Sequence, residues 1–244
     1  MSVQNAIQIS GKLISENQLS VSFSALPGSD PHQLGCFIAI WNGLDFLSAA
    51  KARQVIRVAP NQQVGEVIFD DIIVDQDYCI GFGLGLYTNM EAICASLILP
   101  AYTAVTDELP ATLSSITVIP NEIGTDFLVA QLPISFCRRV SQAGSWIALF
   151  NGSFTSNMYA GSNVIAINKV NPYRNSGKII MNNILGRLER FETYTLVLGM
   201  GLNHHGQPDF SKLVSSYTFI VWKSKIYAGQ HTSGTRGNLL SMFI

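Results

Sequence analysis

Charged residues are scarce in this 244-residue sequence: Asp, Glu, Lys and Arg make up 13% of it, about half the usual share. The 15 basic and 16 acidic residues nearly balance, and neither sign forms a long run. Nucleic acids and acidic membranes are bound through an excess of positive charge, so neither is expected as a partner. Because 48% of the residues are hydrophobic, the chain can bury a substantial core.

Long apolar runs are also missing. Glycine and proline interrupt every apolar stretch before it reaches about 20 residues, so we expect no transmembrane segment. The first residues, MSVQNAIQIS, lack the basic stretch and apolar core of a signal peptide, which predicts a cytoplasmic protein and leaves open export by a signal-less route.

The four cysteines, at 36, 79, 94 and 137, show no C-x-x-C spacing. They are therefore interpreted as free thiols in a reducing compartment.

Motifs of catalysis and metal binding are absent from the sequence. There is no G-x-S-x-G elbow, no H-E-x-x-H and no recognisable nucleophile–base pair. His204 and His205 would point in opposite directions on an extended chain, which makes a poor joint metal site. Four aspartates within residues 70–77 offer calcium ligands, but the later copy of this segment has Asn182 and Asn183 there. Solvated loop charge is the favoured interpretation, and we expect no catalytic residue, metal or cofactor.

The sequence repeats itself. GCFIAIWNG (35–43) matches GSWIALFNG (144–152) at an offset of 109 residues. The same offset, without a gap, aligns Ile7 with Ile116 and VIRV (55–58) with VIAI (164–167). GEVIFDDI (65–72) then matches GKIIMNNI (177–184), and YCIGFGLGL (78–86) matches YTLVLGMGL (194–202). This order predicts duplicated domains: residues 1–100, a linker at 101–112, residues 113–222, and a C-terminal tail at 223–244.

Each half contains about seven short segments rich in β-branched and aromatic residues, separated by turn-rich stretches. This pattern is typical of an antiparallel sandwich. The predicted strands are 5–13, 18–25, 35–42, 53–58, 65–70, 77–87 and 92–99, then 114–119, 126–132, 144–151, 162–169, 177–183, 193–202 and 213–222. Residues 44–54 have helical propensity, but their counterpart 153–163 does not, so loop or strand is preferred for both.

A tyrosine opens the sixth strand of each half, at Tyr78 and Tyr194. This resembles the tyrosine corner of immunoglobulin-like folds, and the third-strand aromatics Trp41 and Phe150 fit the same plan. The resemblance implies two tandem immunoglobulin-like antiparallel β-sandwiches. It concerns an architecture rather than a family, and the inter-sheet cysteine pair of antibody domains is missing. Architecture alone implies no activity.

The glycines of YCIGFGLGL recur at every second residue, which is the period of a strand rather than of a nucleotide-binding loop. The core face is expected to carry residues 78, 80, 82, 84 and 86, with 194, 196, 198, 200 and 202 in the second half. On the third strand, residues 37, 39 and 41 are expected to face the core. Glycine within a strand often marks close approach by another backbone or a ligand. The predicted interface therefore comprises Ile38, Ile40, Gly81, Gly83, Gly85, Ile147, Leu149, Gly199 and Gly201.

Three partners would fit this predicted interface: the other half of the chain, a second copy of the chain, or a segment of another protein. A loop of the same chain folded over the sheet is the alternative. The tail adds a second predicted contact, because its apolar end (Leu239, Leu240, Met242, Phe243 and Ile244) would favour association if exposed. It either docks on its own domain or extends to a neighbour.

Three functional hypotheses follow. The favoured one is a non-catalytic protein-interaction or self-assembly protein with a homo-oligomeric or other protein partner. The second is a ligand-binding sandwich, for carbohydrate through the loop aromatics Tyr87, Tyr159 and Tyr173, or a membrane-active effector or toxin. The third is an enzyme on a β scaffold using Asp77, Glu192 or His205, for which no spacing indicates a mechanism.

Overall fold

The protein is described by a computed structural model over residues 2–44, 51–86, 92–105, 107–109, 111–132, 144–170, 177–184, 186 and 188–222. Predictions that concern the C-terminal tail, Tyr87, Tyr173 or Cys137 lie outside these residues. Among the described residues, no helix has the length and hydrophobicity needed to cross a membrane.

Strands account for nearly all regular structure in the described residues. They are β1 (Val3–Ala6), β2 (Gln8–Ser15), β3 (Gln18–Ser24), β4 (Phe37–Asn42), β5 (Gln54–Arg57), β6 (Val64–Phe69), β7 (Tyr78–Gly83), β8 (Ile93–Leu99), β9 (Ala111–Leu113), β10 (Thr117–Ile123), β11 (Leu128–Leu132), β12 (Trp146–Asn151), β13 (Val164–Lys169), β14 (Gly177–Met181), β15 (Thr193–Gly199) and β16 (Leu213–Ile220). The first sandwich has sheets β5-β4-β7-β8-β9 and β2-β3-β6, and the second has β13-β12-β15-β16-β1 and β10-β11-β14. The prediction of two tandem immunoglobulin-like antiparallel sandwiches is confirmed.

The two sandwiches exchange their first strands. β1, at the start of the chain, pairs with β16 of the second sandwich, and β9, just before the second sandwich, pairs with β8 of the first. The predicted strand 5–13 is therefore two strands in different sandwiches. The chain crosses at Ile7, whose side chain is buried and whose N–H donates to the Val214 carbonyl at 3.1 Å. Each half thus completes a sheet of the other.

Both tyrosine corners are present as predicted. The Ile73 N–H donates to the Tyr78 hydroxyl at 3.1 Å, and the Glu189 N–H donates to the Tyr194 hydroxyl at 2.9 Å. Each bond spans five residues, and both rings are buried. The Arg53 guanidinium also donates to the Tyr78 hydroxyl, at 2.9 Å. These bonds satisfy polar groups that would otherwise be buried without partners.

The strand register corrects part of the repeat alignment. The Val58 N–H donates to Cys36 O and the Val170 N–H to Ser145 O, so Val58 corresponds to Val170 and not to Ile167. The extra residues of the second half therefore lie between β12 and β13. There the chain forms a short 3-10 helix, Ser156–Ala160, which the sequence did not predict.

Strand β10 is also shifted relative to the predicted alignment. Thr117 lies opposite Gln131 as Ser10 lies opposite Ser22, which aligns Ile116 with Ile9 rather than with Ile7. The additional residues of β10, compared with β2, lie at an irregularity of the pairing between Val118 and Ile123. A bulge of this kind changes the pairing locally without changing which strands are neighbours.

Candidate functional site

The orientation predicted for the third strand is wrong in both halves. Ile38 lies opposite Phe82 and Ile147 opposite Leu198, and paired residues share one face of a sheet. Ile38, Ile40, Ile147 and Leu149 therefore face the core between the sheets. The outer side of the first sandwich instead carries a second buried cluster, formed by Phe37, Ala39, Trp41, Cys79 and Ile93. Apolar residues occupy both faces of this strand, so alternation could not indicate which one is inside.

The strand glycines are covered by side chains of their own sheet. A Cβ on Gly83 would lie 2.2 Å from the Phe37 ring, and one on Gly199 would lie 2.1 Å from the Trp146 ring. A Cβ on Gly81 would lie 2.8 Å from Ile93. The close approach expected at these glycines is real, but it comes from neighbouring side chains of the same sheet. The predicted interface residues on β4, β7, β12 and β15 are buried within the single chain and present no surface to a partner.

Gly85 and Gly201 do not lie on strands, because β7 ends at Gly83 and β15 at Gly199. Both adopt positive φ, 104° and 76°, a conformation that glycine adopts readily. Added Cβ atoms would lie 3.9 and 3.6 Å from the Lys212 side chain. Equivalent turns of the two halves therefore meet beside one lysine, where the sandwiches adjoin. The predicted core face accordingly ends at Leu84 and Met200, and the next alternate residues, Leu86 and Leu202, are exposed.

A loop of the same chain covers the outer face of the second sandwich, which was the alternative expectation. Phe210 packs against Trp146 with ring centroids 4.9 Å apart, and against Phe150 at 5.9 Å. Met158 of the 3-10 helix is buried, and the half-buried Tyr159 donates to the Pro27 carbonyl of the first sandwich at 3.2 Å. Burial raises the pKa of Tyr159. Its hydroxyl thus joins the two halves.

The described cysteines, Cys36, Cys79 and Cys94, are buried and form no disulfide. Burial raises the pKa of the Cys36 thiol to about 12, despite the nearby Arg57 charge. A thiol that stays protonated at neutral pH is a poor nucleophile, so Cys36 serves as a small apolar residue, as predicted. Within the described part of the chain, no group of three His, Cys, Asp or Glu residues could hold a metal.

The candidate acid–base residues are not brought together. Glu192 precedes β15 and His205 follows it, so they lie at opposite ends of that strand. The Asp77 carboxylate accepts the Ala101 N–H at 2.7 Å. The expectation that the paired histidines point apart is wrong: Asn203 closes a turn by accepting the His205 N–H at 3.0 Å, and the rings of His204 and His205 lie 3.7 Å apart.

The two sandwiches differ at the gap between the two sheets of each. In the first sandwich, Leu109 closes this gap. Its N–H donates to the Gly11 carbonyl at 2.9 Å, and its side chain, 6% exposed, packs beside Gly11 and Leu97. Leu109 stands two residues before Ala111 of β9, which lies opposite Leu97.

The equivalent place in the second sandwich is an open apolar groove. Gln4 of β1 lies opposite Tyr217 as Ala111 lies opposite Leu97, so Ser2 takes the place of Leu109. By register, Val118 likewise takes the place of Gly11. The groove has a volume of about 190 Å3 and is lined by Ser2, Val118, Pro120, Ile123, Tyr217, Phe219, Ile220 and Trp222. The irregular part of β10 forms one wall and the end of β16 the other.

An exposed aromatic pair stands at the mouth of this groove. Phe191 is 69% and Trp222 63% exposed, with ring centroids 5.9 Å apart in an edge-to-face arrangement. Phe191 adopts φ = 67°, a conformation that is costly for a bulky side chain. We call the groove and this pair together the β10/β16 site. The repeat alignment did not reveal it, because the offset of 109 residues pairs Ser2 with Ala111, whereas the strand register pairs Ser2 with Leu109.

No protein-family model and no curated protein matches the chain. Among solved structures it is similar to the two-fibronectin-type-III-domain segment of chicken tenascin, at 8% identity over 88% of this chain and 97% of that one, with a TM-score of 0.26. It is also similar to the FN1–FN3 domains of chicken CNTN1, at 9% identity over 89% and 67% of the respective chains, with a TM-score of 0.27. Scores this low carry no argument about function, and the assignment of the sandwiches follows from the strand pairing described above.

Proposed function

We propose that this chain is a non-catalytic protein-interaction protein, and that its β10/β16 site receives an apolar side chain from a protein partner. One observation carries the proposal: the position that Leu109 fills in the first sandwich is an open groove in the second. A cavity of roughly 150 Å3 accommodates a benzene ring, so about 190 Å3 suits one large apolar side chain. Such buried anchors dominate many protein interfaces.

The lining favours a protein partner over a glycan. Sugar recognition requires several convergent polar groups beside an aromatic platform, whereas seven of the eight described lining residues are apolar or aromatic and the other is Ser2. Tyr159, the described member of the proposed sugar-binding aromatics, is already bonded to Pro27. Self-assembly is the form of this proposal in which the partner is a second copy of the chain.

The test is a peptide array probed with the chain truncated after Tyr227, which keeps every described residue. Each peptide carries one central Leu, Phe, Trp or Asp, and the protein is tetramerised on streptavidin so that avidity compensates for a single-anchor contact. Ser2→Leu should fill the groove as Leu109 does in the first sandwich. Gln8→Leu adds the same side chain at an exposed position of β2 and is the matched control.

Binding to the Leu, Phe or Trp peptides, lost in Ser2→Leu and kept in Gln8→Leu, would support the proposal. Equal binding by Ser2→Leu would show that the groove is not the contact. Failure to bind any peptide would count against an apolar anchor altogether.

A further inference from the structure

We infer that the resting chain fills the groove of the β10/β16 site with its own C-terminal segment, residues 239–244, docked in cis. Trp222 lines the groove and is the last described residue, so the tail begins at the groove itself. The tail ends in LLSMFI, in which five of six residues are large and apolar. The groove needs one large apolar side chain, and this segment is the richest source of them beyond β16.

The connecting chain is long enough for this return. Residues 223–238 separate Trp222 from Leu239, and 16 residues can span up to about 50 Å when extended. The segment therefore reaches any part of a groove that starts beside Trp222. A tether of this length gives an effective concentration on the order of millimolar. At micromolar protein, the chain's own segment should therefore outcompete that of a second copy.

The first sandwich supplies the structural precedent. There, the chain that leaves β8 turns back, pairs at Glu108 with Lys12 of β2, and places Leu109 in the gap between the sheets. The chain that leaves β16 is the tail, and the same gap of the second sandwich is open. The tail would thus repeat in the second half what the linker does in the first.

Docking in cis would regulate the proposed interaction. A partner's anchor and the tail would compete for one groove, so a partner would bind only after displacing residues 239–244. This regulatory consequence rests on the proposed function, whereas the docking itself does not.

Trp222 provides the readout. The chain has three tryptophans, and Trp41 and Trp146 are 1% and 0% exposed, so acrylamide quenching of the folded protein reports mainly on Trp222. Truncation after Tyr227 should raise the quenching constant and shift the emission to longer wavelength. Phe243→Ser combined with Leu240→Ser should do the same in the full chain. Ser241→Ala, a conservative change within the segment, is the control and should have no effect.

Ser2→Leu tests the place of docking. If it fills the groove, truncation in that background should leave the quenching of Trp222 unchanged. Light scattering on each protein completes the experiment, with the number of copies per particle expected to be the same before and after truncation. Unchanged quenching of the truncated wild type would overturn the inference. An oligomer that dissociates on truncation would also overturn it, because the tail would then dock on another copy.

The two proposals fail separately. Increased quenching after truncation together with an empty peptide array would refute the proposed function and keep the docked tail. Peptide binding together with unchanged quenching would do the reverse.

Discussion

Replacing Gly199 with alanine tests why the glycines recur on the sixth strand of each sandwich. The new Cβ would lie 2.1 Å from Cζ2 of Trp146, whereas unstrained carbon contacts lie at about 3.5–4.0 Å. The indole would have to move by more than 1 Å to reach that distance. It is fully buried, packs against Phe210, and donates from Nε1 to the Gly201 carbonyl at 3.0 Å.

Two costs follow from this geometry. Overpacking a well-filled core costs about 1–3 kcal/mol, and loss of the indole hydrogen bond costs about 1 kcal/mol more. We therefore expect Gly199→Ala to lower the free energy of unfolding by about 2–4 kcal/mol, measured by urea denaturation followed by circular dichroism. Gly11→Ala is the control, because its Cβ would lie 3.1 Å from a Leu97 methyl and 3.3 Å from the Ser20 carbonyl oxygen, a much smaller overlap than 2.1 Å.

A second variant identifies the partner of Gly199. In a Trp146→Leu background, the added methyl should cost much less, and a double-mutant cycle should return a coupling energy of about 1–3 kcal/mol. A Gly199→Ala protein within about 0.5 kcal/mol of wild type would refute the idea that the cross-strand indole requires glycine. It would also reopen the possibility that another molecule does.

Four further predictions can be measured on the same protein. Tyr194→Phe should lose about 1–2 kcal/mol of unfolding free energy, because the Glu189 N–H then lacks its acceptor. Cys36, with a pKa of about 12, should resist alkylation at pH 8 in the native protein and react once urea unfolds it. Asn5→Pro should speed amide hydrogen exchange in β16 of the second sandwich, because β1 pairs there. An effect confined to the first sandwich would contradict the pairing of β1 with the second sandwich. Burial acts to raise the pKa of Asp209, but hydrogen bonds from its turn and from Lys212 outweigh it and lower that pKa. Its stabilising effect should therefore be present above about pH 4 and disappear as the pH falls through the lowered pKa, so the stability deficit of Asp209→Asn should shrink in acid.

Much of the fold was predictable because it depends on local patterns. The strand positions follow from β-branched and aromatic segments between turns, and most observed bounds lie within two or three residues of the predicted ones. The two tyrosine corners followed from one residue at one place in each repeat. The core face of the sixth strand was also correct through Leu84 and Met200, since glycine on the other face marked that side.

Two of the main errors concern which elements meet across the sequence, and a third concerns a local turn. Phe37 and Ile38 are both large and apolar, and only pairing with β7 decides which of them faces the core. The expectation for the histidine pair failed because the Asn203 side chain accepts the N–H groups of His205 and Gln207. These hydrogen bonds fold the chain into a turn, so the segment is not extended. The β10/β16 site was missed because the predicted offset pairs Ser2 with Ala111, and only the strand register shows that Ser2 takes the place of Leu109.

The sequence by itself determined the duplication, the strand content and the absence of recognisable catalytic motifs, because each is written in residues close together along the chain. Tertiary structure alone decided that the halves exchange their first strands, that aromatic rings of the same sheet cover Gly83 and Gly199, and that Leu109 closes one of two equivalent gaps while its counterpart Ser2 does not close the other. Those outcomes depend on long-range register. A shift of one residue turns every side chain of a strand to its other face, and composition and periodicity are unchanged by such a shift.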